Sequence, residues 1–230
     1  MREMRTMSAP APSYNRIVRS FIRALILLHR TYRTRDARTR LHALVRFLTC
    51  PFLRVIQYVP RGATVLEIGA GHGVFSVLAR DRGASRVVAV EPDARKVRHI
   101  DGIDFVIGYD DCIRGAFDVV AIIDVLYKIP IDQWDALLSR IDAKTLIIKE
   151  QDPTVRFKNS WNRAQERLAS ALGLTLGEAF AYEAPQDFVA RLQRSGFASV
   201  DVKRVGRGYP HPHILYVARR ASETKSANKP

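Results

Sequence analysis

Apolar and polar positions follow two different rhythms along this chain, and the change of rhythm falls near residue 62. From Tyr14 to about Thr31 the apolar positions recur with a helical period. At 100° per residue, Arg16, Arg19, Arg23 and Arg30 share an arc of about 60°, with Val18, Phe21, Leu25 and Leu28 on the opposite side. A second helical stretch covers Leu41 to Thr49, and Pro51 suits the start of a third over Phe52–Tyr58. Pro60-Arg-Gly62 then breaks the pattern.

Beyond that break, short apolar runs alternate with helical ones. Strands are predicted at Thr64–Ile68, Arg86–Glu91, Phe105–Ile107, Asp118–Asp124 and Lys144–Lys149. Helices are predicted at Val74–Arg80, Ala94–Ile100 and Asp132–Ile141. This alternation implies a parallel sheet with helices on both faces. The end changes character: a helix over Pro185–Ser195 stops at Gly196, and strands Ser199–Val205 and Ile214–Arg219 follow without a helix between them, as antiparallel neighbours do. The expected fold class is therefore α/β, a doubly wound, mostly parallel seven-stranded sheet with a C-terminal antiparallel hairpin and an N-terminal helical extension. The expected organisation is a flexible leader (1–13), a basic helical extension or cap (14–60), and one domain (61–220) ahead of a polar, disordered tail (221–230). An insertion at 151–184, with a helix around Ser160–Ala171, interrupts the domain.

Charge changes the picture of the N-terminal part. The net charge is +14, and residues 1–64 hold thirteen arginines and no lysine against Glu3 and Asp36, a net of +11. The basicity belongs to the extension. No apolar run approaches the ~20 residues a bilayer requires, and Ala24–Leu28 is too short for a secretory segment. Cys50 and Cys112 are too few and too isolated for a disulfide framework or a zinc site, so no metal is expected and a cytoplasmic location is, with peripheral placement at the inner face of the membrane as a variant. An Arg-rich, acid-poor N-terminus also fits an organelle transit peptide.

Candidate chemistry concentrates in Glu67-Ile-Gly69-Ala70-Gly71-His72-Gly73, between the first predicted strand and helix. Glycines at that turn let the backbone approach a ligand, and the following helix presents unpaired N–H groups to an anion. The next strand ends in Glu91-Pro92, with Glu91 20 residues beyond Gly71, where a carboxylate can accept both hydroxyls of a ribose. A dinucleotide fingerprint, G-x-G-x-x-G/A, would require Gly or Ala where this chain has Val74. The spacing instead resembles that of the class I S-adenosylmethionine-dependent methyltransferases, whose first motif is an acidic residue followed by G-x-G-x-G. The resemblance covers about Thr64 to Arg219, including the terminal hairpin. It implies S-adenosylmethionine as cofactor, held by Glu67, Gly69, Ala70, Gly71, His72, Gly73, Glu91 and Pro92. It also implies an acid after the third strand, Asp110 in preference to Asp111, facing the adenine, with Asp124 and Tyr127 beside the methyl donor.

Methyl transfer from a sulfonium is an in-line displacement, so the enzyme aligns the reactants and removes water. A hydroxyl acceptor also needs a base, whereas a carboxylate or ionised phenol does not. Candidate catalytic groups are Glu150, Asp152, His211 and His213, with Asp152 alternatively capping a turn before Pro153 and the two histidines alternatively belonging to a hairpin turn; His72 is a further candidate, or merely a loop residue near the cofactor. The insertion, with Arg156, Phe157, Lys158 and Trp161, is the expected specificity element. No Asn/Asp-Pro-Pro-Tyr/Phe segment follows the fourth strand, which counts against amino methylation of DNA bases or protein glutamine. The expectation is oxygen methylation of a small or lipid-like molecule. Two alternatives stand beside it: a nucleic-acid (RNA) methyltransferase using the basic helices, and a methyltransferase-like binding protein without catalysis. The basic helices themselves have three readings: a roof over the domain, a contact of residues 14–31 with an anionic membrane, or a nucleic-acid surface.

Overall fold

Five predominantly apolar strands with β-branched residues on both sides build the centre, as strands buried on two faces do. The computed structural model describes residues 14–109, 115–152, 154 and 182–221. Its strands are β1 (Thr64–Ile68), β2 (Arg86–Glu91), β3 (Asp104–Ile107), β4 (Phe117–Ile123), β5 (Ala143–Gln151), β6 (Ser199–Arg204) and β7 (His213–Arg219). They form a seven-stranded sheet in the order β3-β2-β1-β4-β5-β7-β6. Only β7 runs antiparallel to its neighbours, pairing Ile148 with Tyr216 on one side and Val202 with Tyr216 on the other. The fold is thus the mixed, mostly parallel sheet expected, and the strand order reverses between β1 and β4, where a crevice opens beyond the carboxyl ends.

Alternation along each strand assigns two cores. Val65, Ala89, Val119, Ile147 and Val217 face α1 (Tyr14–Tyr32), α2 (Ala37–Thr49), α3 (Phe52–Val55) and α4 (Val74–Arg82). Leu66, Val88, Ile122, Ile148 and Tyr216 face α5 (Trp134–Ser139) and α6 (Pro185–Arg194). Ala24, Leu28 and Tyr32 of α1 and Ala43 and Phe47 of α2 are buried in the first core, and Phe21 stacks on Phe47 at 5.4 Å. The apolar side of α1, opposite its arginines, is therefore turned onto the domain. Asp36 caps α2, its carboxylate accepting from Thr39 N at 2.9 Å.

Two predicted helices differ. Ala94–Ile100 is no helix: Lys96 N donates to Asp93 O, closing a single turn, and the Asp93 carboxylate takes both the Arg95 N–H and its guanidinium. Only Val97 and Ile100 are apolar between Arg95 and Ile100, so no stripe exists to bury. The predicted helix Asp132–Ile141 shortens to a 3-10 turn at Ile131–Gln133 followed by α5. The leader 1–13, Asp110, the predicted helix Ser160–Ala171 and the tail beyond Ala221 lie outside the described residues. Among the described residues no helix is long and apolar enough to cross a membrane, and no group of His, Cys, Asp and Glu could hold a metal ion.

Candidate active site

The turn after β1 is built by glycines that only glycine could supply cheaply. Gly69, Gly71 and Gly73 have φ of 71°, 58° and 79°. Gly69 N and Ala70 N donate to Val90 O at 2.8 and 3.0 Å, which binds the turn to β2. A Cβ on Gly69 would lie 2.4 Å from Val125 Cγ2, so the turn also abuts the loop after β4. A Cβ on Gly71 would meet nothing within 4 Å: here the backbone faces open space.

Two carboxylates frame this turn. Glu67 is buried and its Oε2 accepts from Ser76 N at 3.0 Å and Ser76 Oγ at 2.5 Å, tying β1 to the first turns of α4. Burial pushes its carboxyl up to about 7, against the two Ser76 hydrogen bonds. Glu91 ends β2 and accepts from Gly71 N at 2.8 Å and Asp93 N at 3.1 Å, one bond to each oxygen. Each oxygen keeps acceptor capacity for a further donor. Open space at Gly71 beside a half-used carboxylate fits a bulky ligand carrying hydroxyls, and S-adenosylmethionine satisfies both. Gly69 to Gly73 and Glu91 would hold it. Pro92 follows half-buried.

The N-terminal helices reach this turn. Tyr32 Oη donates to His72 O at 2.7 Å; burial raises the phenol well above its usual range, so it stays a donor. His42 of α2 sets its ring edge against that of His72, centroids 4.9 Å apart. Burial holds His42 down to about 4 and lowers His72, so both rings are neutral at pH 7, each with a buried Nδ1 that has no partner.

The ends of β4, β5 and β7 form a second, ionic group. Asp124, at φ 57°, lies 2.7 Å from Arg46 Nη1 of α2 and 2.5 Å from Lys149 Nζ of β5. Lys149 has no exposed side-chain surface. Burial opposes ionisation of Asp124, but Lys149 and Arg46 outweigh it and hold the carboxyl well below the usual range. Glu150 is buried; its Oε1 accepts from Val125 N at 3.0 Å and Leu126 N at 2.9 Å, and its Oε2 has no partner. Burial, then the charge of Asp124, pushes Glu150 up to about 8, so it is largely protonated at pH 7. Two cations against one carboxylate leave the group positively charged.

The remaining candidates serve the framework. His213 opens β7 rather than lying in the turn before it, and its Nε2 lies 2.9 Å from Thr49 O of α2. Burial lowers His213 to about 3, and a neutral ring beside a carbonyl places the proton on Nε2 as donor. Asp152 accepts from Thr154 N at 3.0 Å, Thr154 Oγ1 at 2.6 Å and Arg204 Nε at 2.9 Å: it caps the turn, the alternative its sequence position allowed. His211 lies in the β6–β7 loop, its ring 6.3 Å from that of His213. Tyr127 is buried in the 3-10 turn Leu126–Lys128 and stacks on Tyr182 at 6.1 Å.

The fold thus gathers His72, Glu91, Asp124, Tyr127 and Glu150 at the carboxyl ends of β1, β2, β4 and β5. Sequence reasoning missed Tyr32, His42, Arg46 and Lys149. Lys149 carried a legible signal: alternation through Thr145, Ile147 and Lys149 places a cation on a core-facing position. Arg46 carried none, being one of many arginines in the extension.

Comparison with known proteins follows this geometry. A family model described as "Methyltransferase domain" matches residues 32–202. The ribosomal protein L11 methyltransferase of Thermotoga maritima is 34% identical over 91 residues, 36% of this chain and 33% of that protein, so the match spans about a third of the relative's length. Among solved structures, the magnesium protoporphyrin IX methyltransferase from Synechocystis PCC 6803 with bound S-adenosylhomocysteine superposes with TM-score 0.58 at 16% identity, covering 91% of this chain and 100% of that one. An O-methyltransferase family protein from Burkholderia thailandensis gives TM-score 0.59 at 16% identity, over 85% and 62% of the two chains.

Proposed function

The chain belongs to the methyltransferase-domain family, and we propose that it uses S-adenosylmethionine to methylate an anionic oxygen on a small or lipid-like acceptor. The cofactor supplies an electrophilic methyl group on a sulfonium. What this chain contributes is alignment, exclusion of water and charge.

The observation that carries the reading is the state of the candidate bases. Asp152 is occupied by Thr154 and Arg204, His213 by Thr49 O, and Glu150 is largely protonated while it holds the Val125–Leu126 turn. None of these three is placed to strip a proton from a neutral hydroxyl: each is buried, and the His213 Nδ1 that the Thr49 bond leaves open belongs to a ring held at about 3. An acceptor that arrives already ionised needs no such group. The positive Arg46–Asp124–Lys149 group favours an anion at the same edge and disfavours a protonated amine. Carboxylates and acidic phenols are anionic nucleophiles at pH 7, and both are oxygen acceptors. The Tyr127–Tyr182 stack beside the crevice offers an apolar wall for the rest of such a molecule.

The test is labelled-methyl transfer from the cofactor into a cell extract, followed by mild alkali. Label released as methanol marks a carboxyl ester, and label retained on an ether oxygen marks a phenol. Label fixed on nitrogen or carbon overturns the reading.

A further inference from the structure

An amphipathic helix at a protein surface needs one apolar face, and α2 has two. Its inner face buries Thr39, Ala43 and Phe47. Opposite them, at the i, i+3, i+4, i+7 spacing, Leu41, Leu44, Val45 and Leu48 stand exposed by 62, 43, 46 and 45%. Among the described residues, most of the exposed large apolar side chains lie on α1 and α2, and only Ile107, Tyr109 and Val202 lie elsewhere. Exposed Arg38 and Arg40 border the stripe on its two sides, and exposed Arg30 and Arg33 follow at the end of α1. The only acid between residues 14 and 60 is Asp36, whose carboxylate is committed to the α2 cap.

We propose that the outer face of α2 docks on an anionic phospholipid surface. Aliphatic side chains entering the headgroup boundary, between rows of arginine that meet lipid phosphates, are the chemistry of an interfacial helix. This places the contact on α2 rather than on the apolar side of residues 14–31, which the core already occupies. A second copy fits worse, because a twofold pairing of this face would bring one molecule's arginine rows against the other's. Single-stranded nucleic acid fits worse too, because the stripe is aliphatic and offers bases nothing to stack on. The inner side of the same helix carries His42, Arg46 and Thr49, which touch the glycine turn, Asp124 and His213. Docking through α2 therefore brings the active-site crevice to the membrane, which deepens the lipid-like option of the proposed function.

Co-sedimentation of the full chain with phosphatidylcholine vesicles, with and without phosphatidylglycerol, tests the proposal. Binding is expected only with the anionic lipid. Leu44→Glu with Leu48→Glu, and separately Arg38→Glu with Arg40→Glu, are each expected to lower partition by about tenfold or more. These positions are exposed, so the thermal unfolding midpoint should stay within about a degree or two of the parent, which separates lost docking from lost fold. Four results overturn the proposal: no sedimentation, partition unchanged by the leucine pair, a dimer in light scattering that the leucine pair abolishes, or RNA retention in place of vesicle binding. Partition is read without substrate, so its failure leaves the oxygen reading standing. A nitrogen-methylated product, conversely, would leave the docking intact.

Discussion

The two halves of the crevice handle buried charge in opposite ways. On the β1–β2 side, Glu67 and Glu91 accept from N–H and hydroxyl donors at the start of α4 and in the glycine turn, within one βαβ unit, and Lys96 approaches Glu91 only to 3.9 Å. On the β4–β5–β7 side, Asp124 is satisfied by cations from β5 and from α2, whose sequence positions lie 25 and 78 residues away. Local hydrogen bonds leave oxygen lone pairs for a ligand. The buried ion pair engages each Asp124 oxygen with a full charge, fixes the loop after β4 and ties α2 across the crevice. On the proposed function, the first arrangement is the binding cradle, and the second is a scaffold that also sets the field the acceptor meets.

Breaking the scaffold should cost most. Lys149→Met removes the fully buried partner of Asp124 and should destabilise the fold by about 3–5 kcal/mol, lowering the melting temperature by on the order of 10 °C. Adding Asp124→Asn should recover part of that loss in calorimetry, because the stranded charge is then gone. Failure to recover would mean that the ion pair is not what Lys149 contributes.

Gly69→Ala probes the seam between the halves. Its φ of 71° and a Cβ 2.4 Å from Val125 Cγ2 should together cost about 2–4 kcal/mol in denaturant unfolding. Combined with Val125→Ala, the steric share should fall and the backbone share of about 1 kcal/mol remain. Glu91→Ala tests the cradle itself. Cofactor affinity by titration calorimetry should weaken about a hundredfold, and Gly71→Arg, which fills the open space, should weaken it at least as far. Affinity unchanged in both variants would remove the cofactor from this turn.

The remaining effect is in pH. Glu67 and Glu150 are raised to about 7 and about 8 in the fold, so their protonated forms are favoured there. Unfolding between pH 4.5 and 8 releases protons, and stability falls as pH rises through that window. His42 and His213, lowered to about 4 and about 3, act in reverse: stability falls as pH drops below about 6.5. Maximum stability is expected near pH 6. Glu150→Gln imitates the protonated acid and should flatten the alkaline limb while leaving unfolding below about pH 4 unchanged; an unaltered alkaline limb would show that Glu150 ionises freely.

Legibility followed the same division. The glycine turn, Glu67 and Glu91 could be read because their chemistry needs particular residues at short, regular spacings. Strand positions were readable for a similar reason, since burial on both faces demands continuous apolar runs. The helix predicted at Ala94–Ile100 failed because Ala94, Arg95, Lys96 and Arg98 matched helical propensity without supplying a face to bury, and the Asp93 carboxylate captured the Arg95 N–H groups instead. Asp152 and His213 looked like bases because residue type and position at a strand end are all that a sequence offers. Their partners, Arg204 and Thr49 O, reach them only through the folded chain.

The chain by itself determined the sheet, the order of its motifs, the glycine turn with its two carboxylates and the concentration of positive charge in residues 1–64, because each rests on local periodicity, short-range spacing or composition. Only the tertiary structure decided which apolar side of α2 is buried and which is exposed, that one arginine among thirteen pairs with Asp124, and that Glu150, Asp152 and His213 are already engaged. Those facts depend on which distant groups burial brings within a few ångströms of one another, and no local pattern encodes that.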